Sequence, residues 1–212
     1  MPRRNRVDPL GDLHAVPDRG MFTGNRGCLV GDDGEVVRHH RGQLWITCLT
    51  EYRGWRVALA RPGRWTPIFF LDEAVALAAG HRPCGLCRRD RYQAYRDAVS
   101  SSEASGRTLD AQDLNRRLAL ERLGRGRGID RAADRIMWTE QIDRLPSGTV
   151  IVDREGRPQL LLDGRQLLFT FSGWAGPTPR PRSIQVQVLT PPTSVTALTN
   201  GYIPVLHPTA SA

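Results

Sequence analysis

Four cysteines, Cys28, Cys48, Cys84 and Cys87, all lie in the first 87 of 212 residues, and the rest of the chain has none. Cys84 and Cys87 form a Cys-x2-Cys knuckle with Gly85 inside it, a spacing that sets two sulfurs about 3.7 Å apart, one edge of a thiolate tetrahedron. Cys48 and Cys28 complete a four-sulfur set. His39, His40 or His81 in place of Cys28 gives the equally common Cys3His set, and the spacing leaves that choice open. His81, three residues before Cys84 with Pro83 between them, fits packing or capping of a helix end better than ligation. In a reducing compartment such a pair reads as metal ligands rather than as a disulfide, so the expected cofactor is one zinc ion in a closed structural site. The contrasting chemistry is a reactive thiolate, because a knuckle at a helix N-terminus meets the partial positive charge that favours the deprotonated sulfur.

The second chemical feature is arginine. All 30 basic residues are arginine, against 22 acidic residues, which leaves a net charge of +8. The lack of lysine excludes a lysine Schiff base, a lysine nucleophile and a P-loop lysine. Between Arg82 and Arg135 there are 13 arginines and 8 acidic residues, so most of the excess charge is local. Arg88, Arg89, Arg116, Arg117, Arg122, Arg125 and Arg127 are the candidate phosphate contacts to DNA or RNA. Arginine interspersed with acids is equally the pattern of a solvated face.

These groups must be positioned by short elements. Residues 1–30 are rich in Gly, Pro, Asp and Arg and read as an irregular arm. From Val36 to Phe70, β-rich runs at Leu44–Leu49, Trp55–Ala60 and Arg64–Phe70 predict a small antiparallel meander. Alternation along Leu44–Leu49 puts Cys48 with Leu44 and Ile46, and Trp45 with Thr47 and Leu49. Asp72 caps a short helix ended by Gly80, and helices follow over Arg88–Val99 and Asp110–Leu123. Strands are expected at Thr149–Val152, Leu160–Leu162, Leu167–Phe171 and Ile184–Leu189, with turns at Arg154-Glu155-Gly156 and Asp163-Gly164, then a short helix over Thr193–Thr199 and a last strand at Pro204–His207. The fold class is α+β. It divides into a zinc-centred domain over 1–100, a helical basic connector over 101–147 and a β-rich domain over 148–212.

The segment Pro67-Ile68-Phe69-Phe70 through Ala74, then Ala79-Gly80-His81-Arg82-Pro83-Cys84-Gly85-Leu86-Cys87-Arg88, resembles the zinc-binding domain of the Ada methyltransferases. The match covers about two dozen residues. The resemblance implies that Cys84 and Cys87 are the second pair of zinc ligands and that the domain binds DNA, with a link to alkylation damage. The Ada domain has a close Cys-x3-Cys first pair, whereas Cys28 and Cys48 are far apart, so its methyl-acceptor role carries over to neither. No stoichiometric methyl transfer is expected, and Cys28, after Arg26 on the Gly-rich arm, is the cysteine placed to meet a phosphate. The whole chain is also similar to an uncharacterised bacterial protein family, which implies no activity.

The leading expectation is a cytoplasmic, zinc-containing nucleic-acid-binding protein. The contrasting one is an enzyme acting on a nucleotide or small molecule in an interdomain pocket, its zinc purely structural, and a third is an interaction scaffold. No stretch reaches the roughly 20 apolar residues of a membrane helix, since Asp72 and Glu73 interrupt the best one, and Met1–Gly20 has no secretory apolar core. Catalytic constellations are thin: His39 and His40 near Asp32 and Asp33 point to opposite faces of a hairpin, and Glu121 between Arg117 and Arg122 reads as a surface ion pair. Trp45, Trp55 and Trp65, one per strand, read as core rather than as a base-stacking platform.

Overall fold

The computed structural model describes residues 2–56 and 63–211, with no description of the Trp55 side chain. The N-terminal half supplies β1 (Arg6–Val7), β2 (Leu13–His14), β3 (Phe22–Asn25), β4 (Ile46–Leu49), the hairpin β5 (Glu51–Tyr52) and β6 (Trp55–Arg56), β7 (Ile68–Phe70), α1 (Glu73–Ala78), β8 (Arg82–Pro83), α2 (Arg89–Ser100) and α3 (Ala111–Arg122). The C-terminal half supplies β9 (Trp138–Gln141), β10 (Val150–Val152), β11 (Pro158–Leu162), β12 (Arg165–Thr170), β13 (Gly173–Pro179), β14 (Gln185–Val188) and α4 (Pro192–Thr199). The α+β class and the β-rich C-terminal part are as the residues predict. No described helix is long and apolar enough to cross a membrane.

The first sheet is not the expected meander. Its order is β2-β1-β7-β3-β4-β8, with β3 antiparallel to both neighbours, β1 parallel to β7 and β8 parallel to β4. The central strand β3, with β1 and β2, comes from the arm read as irregular. Two-residue strands carry no period, and Phe22-Thr23-Gly24-Asn25 holds two residue types depleted in strands. Of the run expected at Trp55–Ala60, only Trp55–Arg56 is seen as strand, and its remainder lies outside the described residues.

Helix α1 reads Glu-Ala-Val-Ala-Leu-Ala and is buried on every side, as a helix apolar all round must be. It contacts β7 of the first sheet and β10 of the second. One apolar cluster accordingly joins Val7, Leu13, Ile68, Phe70 and α1 to Val150, Leu160, Leu167 and Trp174. The two sheets share this core across the boundary expected at residue 148. Asp72, the α1 N-cap, accepts from Val75 N–H at 3.0 Å, His207 N–H at 2.9 Å and the Trp174 indole at 2.6 Å. Glu73 behind it is buried against Arg88 at 2.8 Å and also accepts from Tyr202 and from Val205 N–H. These two acids hold the segment expected as a last strand, so Pro204–His207 runs beside α1 without entering a sheet.

A second cluster places Tyr95 and Val99 of α2, Leu114 of α3 and Ala197 and Leu198 of α4 together, with Tyr95 bonded to Ser194 at 2.9 Å. Glu121 accepts from both the backbone N–H and the hydroxyl of Thr193, which makes it a partner of the α4 N-terminus rather than a surface ion pair. The second sheet, in the order β13-β12-β11-β10-β14-β9, is antiparallel throughout and turns at Gly156 and Gly164 as the sequence predicts.

Candidate metal centre and the arginine cluster beside it

Strand β4 has two faces. Trp45, just before it, and Thr47 are each 1% exposed and point into the protein, while Ile46 and Cys48 line a cavity of about 420 Å³ with Asn25, Tyr52, Trp65 and Leu86. The aliphatic company of Cys48 is therefore the wall of a cavity, not closed core. Strand β8 then runs parallel to β4: Arg82 N–H donates to Trp45 O at 3.3 Å and Cys84 N–H to Thr47 O at 2.9 Å. That pairing delivers the knuckle beside Cys48. The Sγ atoms of Cys48, Cys84 and Cys87 all lie within 4.8 Å of one another, and all are free thiols.

The surroundings favour thiolate at Cys84 and oppose it at Cys48 and Cys87. Leu86 N–H points at Cys84 Sγ and Leu49 N–H at Cys87 Sγ, each at 3.4 Å. Hydrogen bonds from the Cys48 and Cys87 thiols hold Cys84 well below the usual thiol range, and the same contacts, with burial, push Cys48 up. Three sulfurs competing to share protons are a donor set for a thiophilic cation, which displaces the protons and satisfies all three. The residues present can hold a metal ion.

Cys28 is not in this group, which corrects the expected four-cysteine set. Its Sγ lies 3.6 Å from Val30 O, in a loop that turns at Gly27 with φ +98°. Leu29 is the residue this loop gives to the core. Neither does any of the three histidines replace it. They gather round Trp45 instead, with ring centroids at 5.5 Å for His39, 5.2 Å for His40 and 5.0 Å for His81. Residues 57–62 are Val-Ala-Leu-Ala-Arg-Pro and contain no thiol, imidazole or carboxylate. Among the described residues the group numbers three.

The arginines expected to meet phosphate divide into several kinds. Arg88 is buried in its pair with Glu73 and lies over the Phe22 ring, so it is no surface contact. Arg116 pairs with Asp113 at 2.6 Å, and Arg117 grips Glu103 through two bonds of 2.6 and 2.7 Å. Arg89, Arg125 and Arg127 are exposed, and none is in an ion pair among the described residues. Arg122 is buried, donates to Gly80 O and Gln43 O, and lies 3.8 Å from the centre of the Trp45 ring. Gly80, with φ +82°, makes room for it, since a Cβ there would stand 2.8 Å from Arg122 Cδ.

Sequence reasoning missed what Arg122 belongs to. Arg26 is fully buried over the same Trp45 ring at 4.3 Å, donates to His81 Nε2 at 3.1 Å and Gly11 O at 2.7 Å, and lies 2.9 Å from His39 Nε2. Arg135 donates to the carbonyls of Arg122, Ala78 and Leu189. None of these three is in an ion pair among the described residues. Burial and then the neighbouring guanidiniums push His39 down to about 2 and His40 to about 4, and His81 well below its ordinary range. Burial likewise lowers Arg122 to about 8, with Arg26 and Arg135 adding to it. A local sign existed in the sequence, His39-His40 and His81 each near an arginine, but the pairing spans residues 26 to 135.

Against protein-family models, curated proteins and solved structures, the chain matches none.

Proposed function

We propose that this is a zinc protein in which Cys48, Cys84 and Cys87 hold one ion and leave its fourth position facing the cavity of Asn25, Tyr52, Trp65 and Leu86. The observation that carries the reading is the convergence of three sulfurs, with Cys28 and all three histidines elsewhere. Sulfur ligation with N–H donors to the thiolates favours zinc over the hard cations, and three protein ligands with a free position are the pattern of zinc sites that take an exogenous ligand. Bound zinc would supply Lewis acidity there and keep the sulfurs deprotonated. None of the cavity-lining residues is a carboxylate or imidazole, so the reading favours capture of a ligand, or electrophile chemistry at sulfur, over hydrolysis through a general base. Alkyl acceptance, which the Ada resemblance implies, would then belong to one of Cys48, Cys84 and Cys87 on the cavity wall rather than to Cys28.

Metal analysis and cobalt substitution test this. The expected result is one zinc per chain, and a cobalt form whose d–d bands shift when imidazole or azide is added. Bands indifferent to both ligands but altered by Cys28→Ser mean a closed four-sulfur site and overturn the reading. So does protein that takes up no metal.

Binding to a nucleic-acid backbone is the second reading, supported by Arg89, Arg125 and Arg127. Three phosphate contacts give a log–log salt slope of about −2.7 on duplex DNA. A gel shift across salt concentrations measures it, and absence of binding at low salt removes this reading.

A further inference from the structure

Buried guanidiniums in this protein come in two arrangements. Arg88 has Glu73 at 2.8 Å, a buried cation with its counter-charge. Arg26, Arg122 and Arg135 have carbonyls, imidazoles and the Trp45 face, but no ion-pair partner among the described residues. Carbonyl dipoles and a ring quadrupole offset part of the cost of desolvating a cation, and Asp8 and Asp12 act on Arg26, and Asp8 on Arg135, without a contact pair, while Arg122 has neither. Burial first, and these guanidiniums after it, lower the neighbouring His39 and His40.

Of the three arginines, Arg122 lines a cavity of about 730 Å³. Its wall includes Arg122 together with His40, Gln43, Arg125, Arg127 and Arg131, and none of its lining residues is acidic. Arg131 is committed to Asp134 and to Gly124 O, so Arg122, Arg125 and Arg127 carry the uncompensated charge of the wall. Arg125 and Arg127 sit on the exposed run Gly124-Arg125-Gly126-Arg127-Gly128, whose backbone at Gly126 packs against the Asp134 carboxylate that Arg131 holds. This volume is in the range of small-molecule sites, about 300–1,000 Å³.

We propose that this cavity binds a small phosphorylated molecule through a terminal group of two or more negative charges, a phosphate monoester or a diphosphate. Guanidinium forks fit phosphate oxygens in pairs. Charge density decides between this ligand and a nucleic-acid strand. A phosphodiester brings one charge per phosphate and needs a track of cations. Here Arg88, Arg116 and Arg117 are committed elsewhere and Arg89 stands apart from this wall, while Arg122, Arg125 and Arg127 converge on one concavity. The site is separate from the thiolates, for the two cavities share no lining residue.

The test is titration calorimetry of the metal-loaded protein with pyrophosphate in chloride buffer, with zinc content measured before and after so that chelation is not mistaken for binding. Arg125→Gln/Arg127→Gln alters two exposed side chains and leaves the fold intact, which an unchanged melting temperature checks. The expected result is saturable binding by the wild type and at least tenfold weaker binding by the double variant, at equal zinc content. Equal affinity of the two proteins, or no pyrophosphate binding, overturns the proposal. A 20-base-pair duplex that binds through the same two arginines and is not displaced by pyrophosphate also overturns it, in favour of a nucleic-acid strand.

Discussion

Lowering the pH from 7 to 5 should destabilise this protein through histidines that fold neutral, independently of its carboxylates. His39 is 2% exposed and His81 is fully buried, and both are pushed down by burial first and by arginines second. The sign follows from proton counting. An unfolded chain takes up protons as pH falls through about 6.5, the folded protein does not, and stability is lost through that window. With an unfolded value of about 6.5 and a folded form still neutral at pH 5, each fully buried ring contributes a loss of about 2 kcal/mol between pH 7 and 5, or about 4 kcal/mol for the pair. His40, lowered to about 4 but only half-buried, adds to this by less than a buried ring does. His14 runs the other way, because its bond to Asp8 raises it and gives stability present at low pH and lost as pH rises. Urea unfolding at pH 7, 6 and 5 reads the sum. At an m of about 2–3 kcal/mol/M, a loss of about 4 kcal/mol moves the midpoint down by about 1.5 M. Acid also competes for thiolates, so the ring resonances of His39 and His81 must be followed by NMR on the metal-loaded protein. The reasoning fails if either ring titrates near 6.5, or if stability changes by less than about 1 kcal/mol over the window.

Replacing Cys48, Cys84 or Cys87 singly by Ser should weaken metal binding by more than the roughly 10–100-fold that an outer-shell change produces, while Cys28→Ser leaves affinity and stoichiometry unchanged; competition with a chromogenic chelator reads both. Glu73→Gln leaves Arg88 buried without its charge partner and should cost about 3–5 kcal/mol in denaturant unfolding, a cost too large for a surface pair. Gly80→Ala places a Cβ 2.8–2.9 Å from Arg122 at φ +82° and should cost about 1–3 kcal/mol by the same measurement, with a weaker Trp45–Arg122 contact visible in tryptophan fluorescence.

Helices α1 and α3 were legible because each carried its own punctuation. Asp72 caps α1 and Gly80 follows its end, Asp110 and Asp113 form a reciprocal capping box on α3, and both helices lie where those residues place them. The hairpins of the second sheet were legible for the same reason, in Gly156 and Gly164. What the residues did not reveal was pairing at a distance. Strand β3 is found only by knowing that Thr23 sits between Cys48 and Phe69, and β8 is two residues long with a proline. The thiolate group was half visible: a knuckle declares itself by spacing, but whether Cys28 or Cys48 joins it depends on which strand β8 pairs with. Buried arginine was the least legible feature. Composition marks arginine as surface, and only the ring of Trp45 and carbonyls from distant loops make its burial tolerable.

Alternation along a single strand explains how one segment serves two chemically opposite places. Successive residues of β4 face opposite ways, so Trp45 and Thr47 turn toward the guanidiniums and core while Ile46 and Cys48 turn toward the sulfur cavity. A slip of one residue would exchange them, putting Cys48 among buried cations and the Trp45 ring in the cavity. Register is held on one side by Thr23 opposite Cys48 and on the other by Thr47 beside Pro83. The second of these is weak by itself, because a two-residue parallel edge has few backbone bonds to offer. A metal ion on Cys48, Cys84 and Cys87 would cross-link that edge, tying β4 to the turn that begins α2. Helix α2 is in turn fixed to the interior by Tyr95 and, just ahead of it, by the Arg88–Glu73 pair. The knuckle is thus where a two-residue edge strand meets a firmly seated helix, and there an ion's binding free energy has register to protect.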